Sequence, residues 1–103
     1  MEDMKMSEKK PVEPRTKEEM EKLLSRLKRI EGQVRGVQKM VEDERYCVDI
    51  LVQISAINAA LKKVGMNILK RHTQHCVSDS IINGDSNESI DELMGVIELF
   101  SKI

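Results

Sequence analysis

The feature that most restricts how this chain can fold is an apolar stripe at heptad spacing. It comprises Cys47, Ile50, Ile54, Ile57, Leu61, Val64 and Ile68, and no proline follows it before Asn83-Gly84. Alternating steps of three and four keep these side chains on one face of an α-helix, and Leu51, Ala60 and Leu69 widen that face. The pattern predicts a helix from Cys47 to Ile81 or Ile82, about 36 residues long, stopped by Asn83-Gly84 in a left-handed C-terminal turn. Gly65 lies inside it at a small cost in helix propensity.

A second stripe precedes the first: Leu23, Leu27, Ile30, Val34, Val37 and Val41. Thr16 and Glu19 have the form of a capping box, so a helix is predicted from about Thr16 to Glu42. The segment 42–45 breaks the pattern without glycine or proline and reads as a tight hairpin connection in which Asp43 caps the next helix. Asp85 with Glu88 resembles another capping box, opening a third helix with Ile90, Leu93, Met94, Ile97 and Phe100 on one face. Residues 1–14, with Pro11 and Pro14 and no apolar period, read as a disordered N-terminal arm. Residues 15–103 are expected to form one three-helix domain.

Composition narrows the function classes. Aromatics make up 2% of the 103 residues, Tyr46 and Phe100 alone, too few for a β-sandwich, a barrel or a base-stacking platform. Two cysteines do not make a disulfide framework, and no apolar signal region follows the N-terminal charges, so a reducing cytoplasm is expected. No stretch approaches the roughly 20 apolar residues needed to span a bilayer. Three aliphatic helices offer poor walls for a substrate pocket, so catalysis by a Cys, His and carboxylate set ranks well below binding.

A helix this long cannot bury its stripe within three helices of one chain. Dimerisation is the simplest remedy, and Ala56, Ala59 and Ala60 allow close approach of two copies. The expected architecture is an all-α, antiparallel helical-bundle dimer.

His72 and Cys76, four residues apart, share a helix face at a spacing that suits two metal ligands. Cys47 is 25 residues before His72, about 37 Å along a continuous helix, so one chain cannot bring all three to one ion. In an antiparallel pair crossing near Ala60, however, Cys47 of one chain faces the region of His72 and Cys76 of the other. Two thiolates and an imidazole form a soft three-ligand set that suits Cu(I) better than a closed four-ligand zinc site. Taken singly, each cysteine reads more readily as a small buried hydrophobe and His72 as a core or surface histidine, a reading that their joint placement weakens, and His75, turned about 100° from Cys76, reads as a surface or partner contact. Met1, Met4 and Met6 are thioethers on the arm, explained by the start codon and a solvated tail.

The net charge of −1 argues against a general nucleic-acid binder, but the charge is unevenly placed. Residues 60–78 hold Lys62, Lys63, Lys70 and Arg71 with no acid, while 79–103 are acidic apart from Lys102. Lys22, Arg26 and Arg29 line one side of the first helix. Such a face can follow phosphates; the plainer reading is a solvated surface with intrahelical pairs such as Glu18 with Lys22.

The run Arg26-Leu-Lys-Arg-Ile-Glu-Gly-Gln-Val-Arg-Gly36, the segment Arg45-Tyr-Cys-Val-Asp-Ile-Leu-Val-Gln-Ile54, and His72 with Cys76 closely resemble the CsoR/RcnR family of metal-sensing transcriptional repressors, in its copper-sensing branch. The resemblance covers about residues 20–101. It implies helical dimers that pair into tetramers, a metal-free form bound to operator double-stranded DNA of copper-resistance genes, and release when Cu(I) is held by Cys47 of one subunit and His72 and Cys76 of another. It further implies that Tyr46 and Glu92 hydrogen-bond the free nitrogen of His72. On charge and position, Arg15, Arg26, Arg29, Lys70 and Arg71 are the expected DNA contacts. An alternative within the same fold is a thiol or persulfide sensor using Cys47 and Cys76. A copper carrier without a DNA role ranks lower, because ligands on rigid helices exchange poorly.

Overall fold

The computed structural model of the chain describes residues 9–84 and 86–102, and every element among them is helical. Helix α1, Lys17–Glu42, opens on the predicted capping box: the Glu19 N–H donates to Thr16 Oγ1 (3.1 Å) and the Thr16 N–H donates to Glu19 Oε1 (3.2 Å). Helix α1 ends differently from expectation. Asp43 is its C-cap and does not cap the following helix, whose N-cap is Tyr46 with no side-chain bond. The physical reason is a Schellman closure. Glu44 adopts φ 52°, its N–H donates to the Val41 carbonyl (3.1 Å), and the Arg45 N–H donates to the Met40 carbonyl (2.9 Å). Backbone bonds thus satisfy the helix end, with a glutamate in the position usually given to glycine.

The second predicted helix is one rod in three parts: α2, Cys47–His72, then a π-helical turn, Thr73–Val77, then α3, Ser78–Asn83. His72, Thr73, Val77 and Ser78 all keep helical dihedrals, so the rod does not break. Gly84 stops it at φ 88°, where the Asn-Gly pair placed the end. Thr73 Oγ1 donates to the Leu69 carbonyl (3.0 Å) and Ser78 Oγ to the Thr73 carbonyl (3.4 Å). Hydroxyls competing for helix carbonyls favour a locally widened turn. Helix α4, Ser86–Ser101, folds back along the rod. The proposed capping partner of Glu88, Asp85, lies outside the described residues, as do Met1, Met4 and Met6.

The hairpin packs α1 on α2 through Ile30, Ile57 and Val64, with Leu23, Val37 and Ala60 around them. Val77 is buried separately in the π turn. Among the described residues only these four hydrophobic side chains are buried. On α2 the predicted stripe divides: Ile57 and Val64 pack against α1, while Leu51, Ile54 and Leu61 stay 45–62% exposed alongside Val48 and Val52, apolar surface that a lone chain leaves uncovered. Gly65 does more than tolerate a helix interior, because the Phe100 ring of α4 lies directly on it. No helix among the described residues is long and apolar enough to cross a membrane.

Candidate metal centre and basic groove

The rod sets the three candidate ligands by its own geometry. Cys47 is the first residue of α2 and exposed; His72 is its last residue; Cys76 sits half-buried in the π turn. His72 and Cys76 line one cleft of about 480 Å³, whose other walls come from Ile68, Ser80, Ser89 and Glu92 and from residues 9–12 with Arg15 and Arg71. Cys47 lies at the far end of α2 and does not line it. Among the described residues of one chain, no three His, Cys, Asp or Glu side chains converge on a point. Two of the three expected ligands therefore meet within a chain, and a site that uses all three needs Cys47 of another copy.

Glu92 on α4 faces the imidazole, with Oε1 3.8 Å from His72 Nε2, and its Oε2 is 3.8 Å from Lys9 Nζ. That spacing is an ion-pair approach and too long for a direct hydrogen bond. Tyr46 is 69% exposed and stands beside Cys47, remote from the same chain's His72. The chemistry of a thiolate and an imidazole on one helix turn fits a soft cation, and the carboxylate behind the ring fits the outer partner that orients a metal-bound histidine.

A second concavity adjoins the first. Arg15, Lys22, Arg26, Lys70 and Arg71, with Glu19, Asn67, Gln74 and His75, line a groove of about 400 Å³ between α1 and α2. Arg29 continues the row on α1, sharing a shallow depression with Lys22 and Arg26. The structure thus gathers Arg15, Arg26, Lys70 and Arg71 at one groove, with Arg29 at its extension. Lys22 is paired with Glu18 (3.3 Å), the exposed intrahelical contact its spacing predicts.

Arg71 behaves unlike its neighbours. Its side chain is only 14% exposed, and Nε donates to Glu19 Oε2 at 2.6 Å. Its two terminal nitrogens donate to the carbonyls of Glu13 (2.8 Å) and Pro14 (3.1 Å). The guanidinium bond to Glu19, helped by the Thr16 backbone N–H, holds the Glu19 carboxyl below its ordinary pKa. His75 Nδ1 meets Glu13 Oε2 at 2.7 Å, so His75 contacts the chain's own arm. Nothing in the sequence pointed to these bonds, because two of the acceptors are backbone carbonyls, which every residue carries.

The description "metal-sensitive transcriptional repressor" belongs to the family model that matches residues 19–98. The chain is 51% identical over 98 residues to the copper-sensing transcriptional repressor CsoR of Bacillus subtilis strain 168, covering 95% of this chain and 97% of that one. Its fold matches the Cu(I)-bound copper-sensing repressor CsoR of Geobacillus thermodenitrificans NG80-2 at a TM-score of 0.83 and 64% identity, covering 88% and 95% of the two chains. The nickel-responsive transcriptional regulator InrS matches at a TM-score of 0.69 and 35% identity, covering 84% of this chain and 97% of that one.

Proposed function

Because the chain belongs to the metal-sensitive transcriptional repressor family, we propose that it is a Cu(I)-responsive repressor: metal-free, it holds the operator DNA of copper-resistance genes, and Cu(I) releases it. The single observation that carries this reading is the cleft that sets His72 and Cys76 side by side with Glu92 behind the imidazole. The kinship of the chain to copper-sensing repressors supports copper as the effector over persulfide chemistry at the two cysteines. The relatives are regulators of transcription, which is why no catalytic role is assigned.

In this reading Cys76 and His72 of one subunit and Cys47 of another supply the ligands. Bound there, Cu(I) supplies a soft centre able to tie two thiolates and an imidazole of two chains together. The exposed face of α2, with its small Ala56 and Ala59, is the face on which two copies pair antiparallel, Ala60 being taken up in the core with α1, and pairs of dimers form the working tetramer. Antiparallel pairing also carries Tyr46 toward the partner's cleft, since it adjoins Cys47. Glu92, 3.8 Å from His72 Nε2, is placed to accept the N–H of that nitrogen once a bound ion draws the site together, which would link the ligand helix to α4. Arg15, Arg26, Arg29 and Lys70, with Arg71 at the groove floor, face the DNA phosphates.

Release requires that Cu(I) bind the DNA-free arrangement more tightly than the DNA-bound one; by linkage, DNA then weakens Cu(I) binding by the same factor. The test is anaerobic Cu(I) titration of the reduced protein on a labelled copper-resistance promoter fragment, read by fluorescence anisotropy, with a persulfide donor in parallel. Release at one equivalent of Cu(I) per chain is expected. Release by the persulfide alone would transfer the function to the two thiols, and a fragment that never binds would remove the DNA role.

A further inference from the structure

Helix α4 is held to the rod on either side of Glu92. Toward its end the Phe100 ring lies on Gly65, and near its start Ser89 Oγ donates to Ser80 Oγ at 2.7 Å. Both serines are half-buried and line the cleft of His72 and Cys76. Ser80 stands four residues after Cys76 on the rod and Ser89 three residues before Glu92 on α4, about one helical turn in each case. Among the described residues this is the one side-chain hydrogen bond between α4 and the rod. Gly84 already ends the rod at φ 88°, so the serine pair is not needed to reverse the chain. What it fixes is how α4 lies along the rod. A slip of one residue would shift a helix by about 1.5 Å and turn its side chains by about 100°, enough to carry Glu92 away from His72.

We infer that Ser89 is a positioning residue: through its bond to Ser80 it sets the register of α4 on the rod, keeps Glu92 opposite His72, and so sets how strongly copper binding in the cleft is coupled to DNA binding. Glu92 passes a movement of His72 to α4 only while α4 is held in that register. Ser89 is neither a candidate ligand nor part of the basic groove, so its loss leaves each binding event in place and weakens the link between them. The register stands on the geometry of the chain by itself; its consequence for copper-driven release rests on the repressor reading above.

The test compares the reduced full-length protein with three variants: Ser89→Ala, Ser80→Ala, which removes the same bond from its other side, and Ser89→Thr, which keeps a hydroxyl. Without copper, a nuclear Overhauser contact between the His72 ring and the Glu92 side-chain methylenes is expected in wild type and Ser89→Thr and lost in both alanine variants. Metal-free DNA affinity, and Cu(I) affinity measured against bicinchoninate, should stay within about twofold of wild type, while the Cu(I)-induced loss of DNA affinity shrinks about tenfold in the alanine variants. Adding Glu92→Gln to Ser89→Ala should then cost no further coupling. Survival of the ring contact, or of the full copper response, in both alanine variants overturns the proposal. So does an equal loss in Ser89→Thr, or a further loss on adding Glu92→Gln, which would give Ser89 a role apart from Glu92. If wild type shows no copper response on DNA, the repressor reading falls and the His72–Glu92 contact decides the register by itself.

Discussion

The Phe100 ring of α4 rests on Gly65 of α2 so closely that a β-carbon at residue 65 would stand 2.6 Å from Cε2 and 3.2 Å from Cε1 of the ring. This contact fastens the last turn of α4 to the middle of the rod, and α4 in turn carries Glu92 to His72. Gly65→Ala is therefore expected to destabilise the protein by about 1–3 kcal/mol, despite the better helix propensity of alanine. Chemical denaturation checks this, and combining it with Phe100→Ala should cost less than the sum of the two changes, since the second removes the clash. Stabilisation by Gly65→Ala alone would mean that α4 does not pack there.

Glu44 makes the opposite case. It holds φ 52° at the end of α1 and gains only backbone bonds for it. Glu44→Gly is expected to stabilise the hairpin by about 0.5–1 kcal/mol, the left-handed penalty relieved less the added freedom of the unfolded chain. A fall in denaturation midpoint would show that the glutamate side chain contributes something the turn geometry does not reveal.

The Glu19–Arg71 pair predicts a pH dependence. The folded-state pKa of Glu19 is lowered chiefly by its bond to Arg71, so the stabilisation is present above the ordinary glutamate pKa and fades as pH falls through the depressed folded value. A carboxyl-detected NMR titration should find the Glu19 midpoint below the ordinary glutamate value. In Arg71→Lys it should move up toward that ordinary value, and a midpoint indifferent to residue 71 would contradict the bond.

His72→Ala should bind operator DNA normally yet lose release by Cu(I), because it removes a proposed ligand and leaves the basic groove intact. Full copper-driven release by this variant in the anisotropy experiment would sink the ligand assignment.

Replacing Arg26 and Arg29 with glutamine should weaken DNA binding and lower the slope of log affinity against log salt by about 0.9 for each phosphate no longer neutralised. The same slope in wild type and variant would place the DNA-contacting face elsewhere.

Much of this protein was legible in its residues alone. Apolar spacing placed the two long helices, Thr16 with Glu19 marked one helix start, and Asn83-Gly84 marked one helix end, because local backbone chemistry and helix period depend on nearby residues. The pairing of His72 with Cys76 was legible for the same reason, since four residues on a helix fix their common face. What the tertiary fold decided were the relationships between segments far apart in sequence. These are Glu92 opposite His72, Phe100 on Gly65, and the arm folded back onto Arg71, 57 and 58 residues from the carbonyls it holds. No spacing rule announces such contacts, because a backbone carbonyl carries no identity and a ring finds a glycine only after both helices have docked.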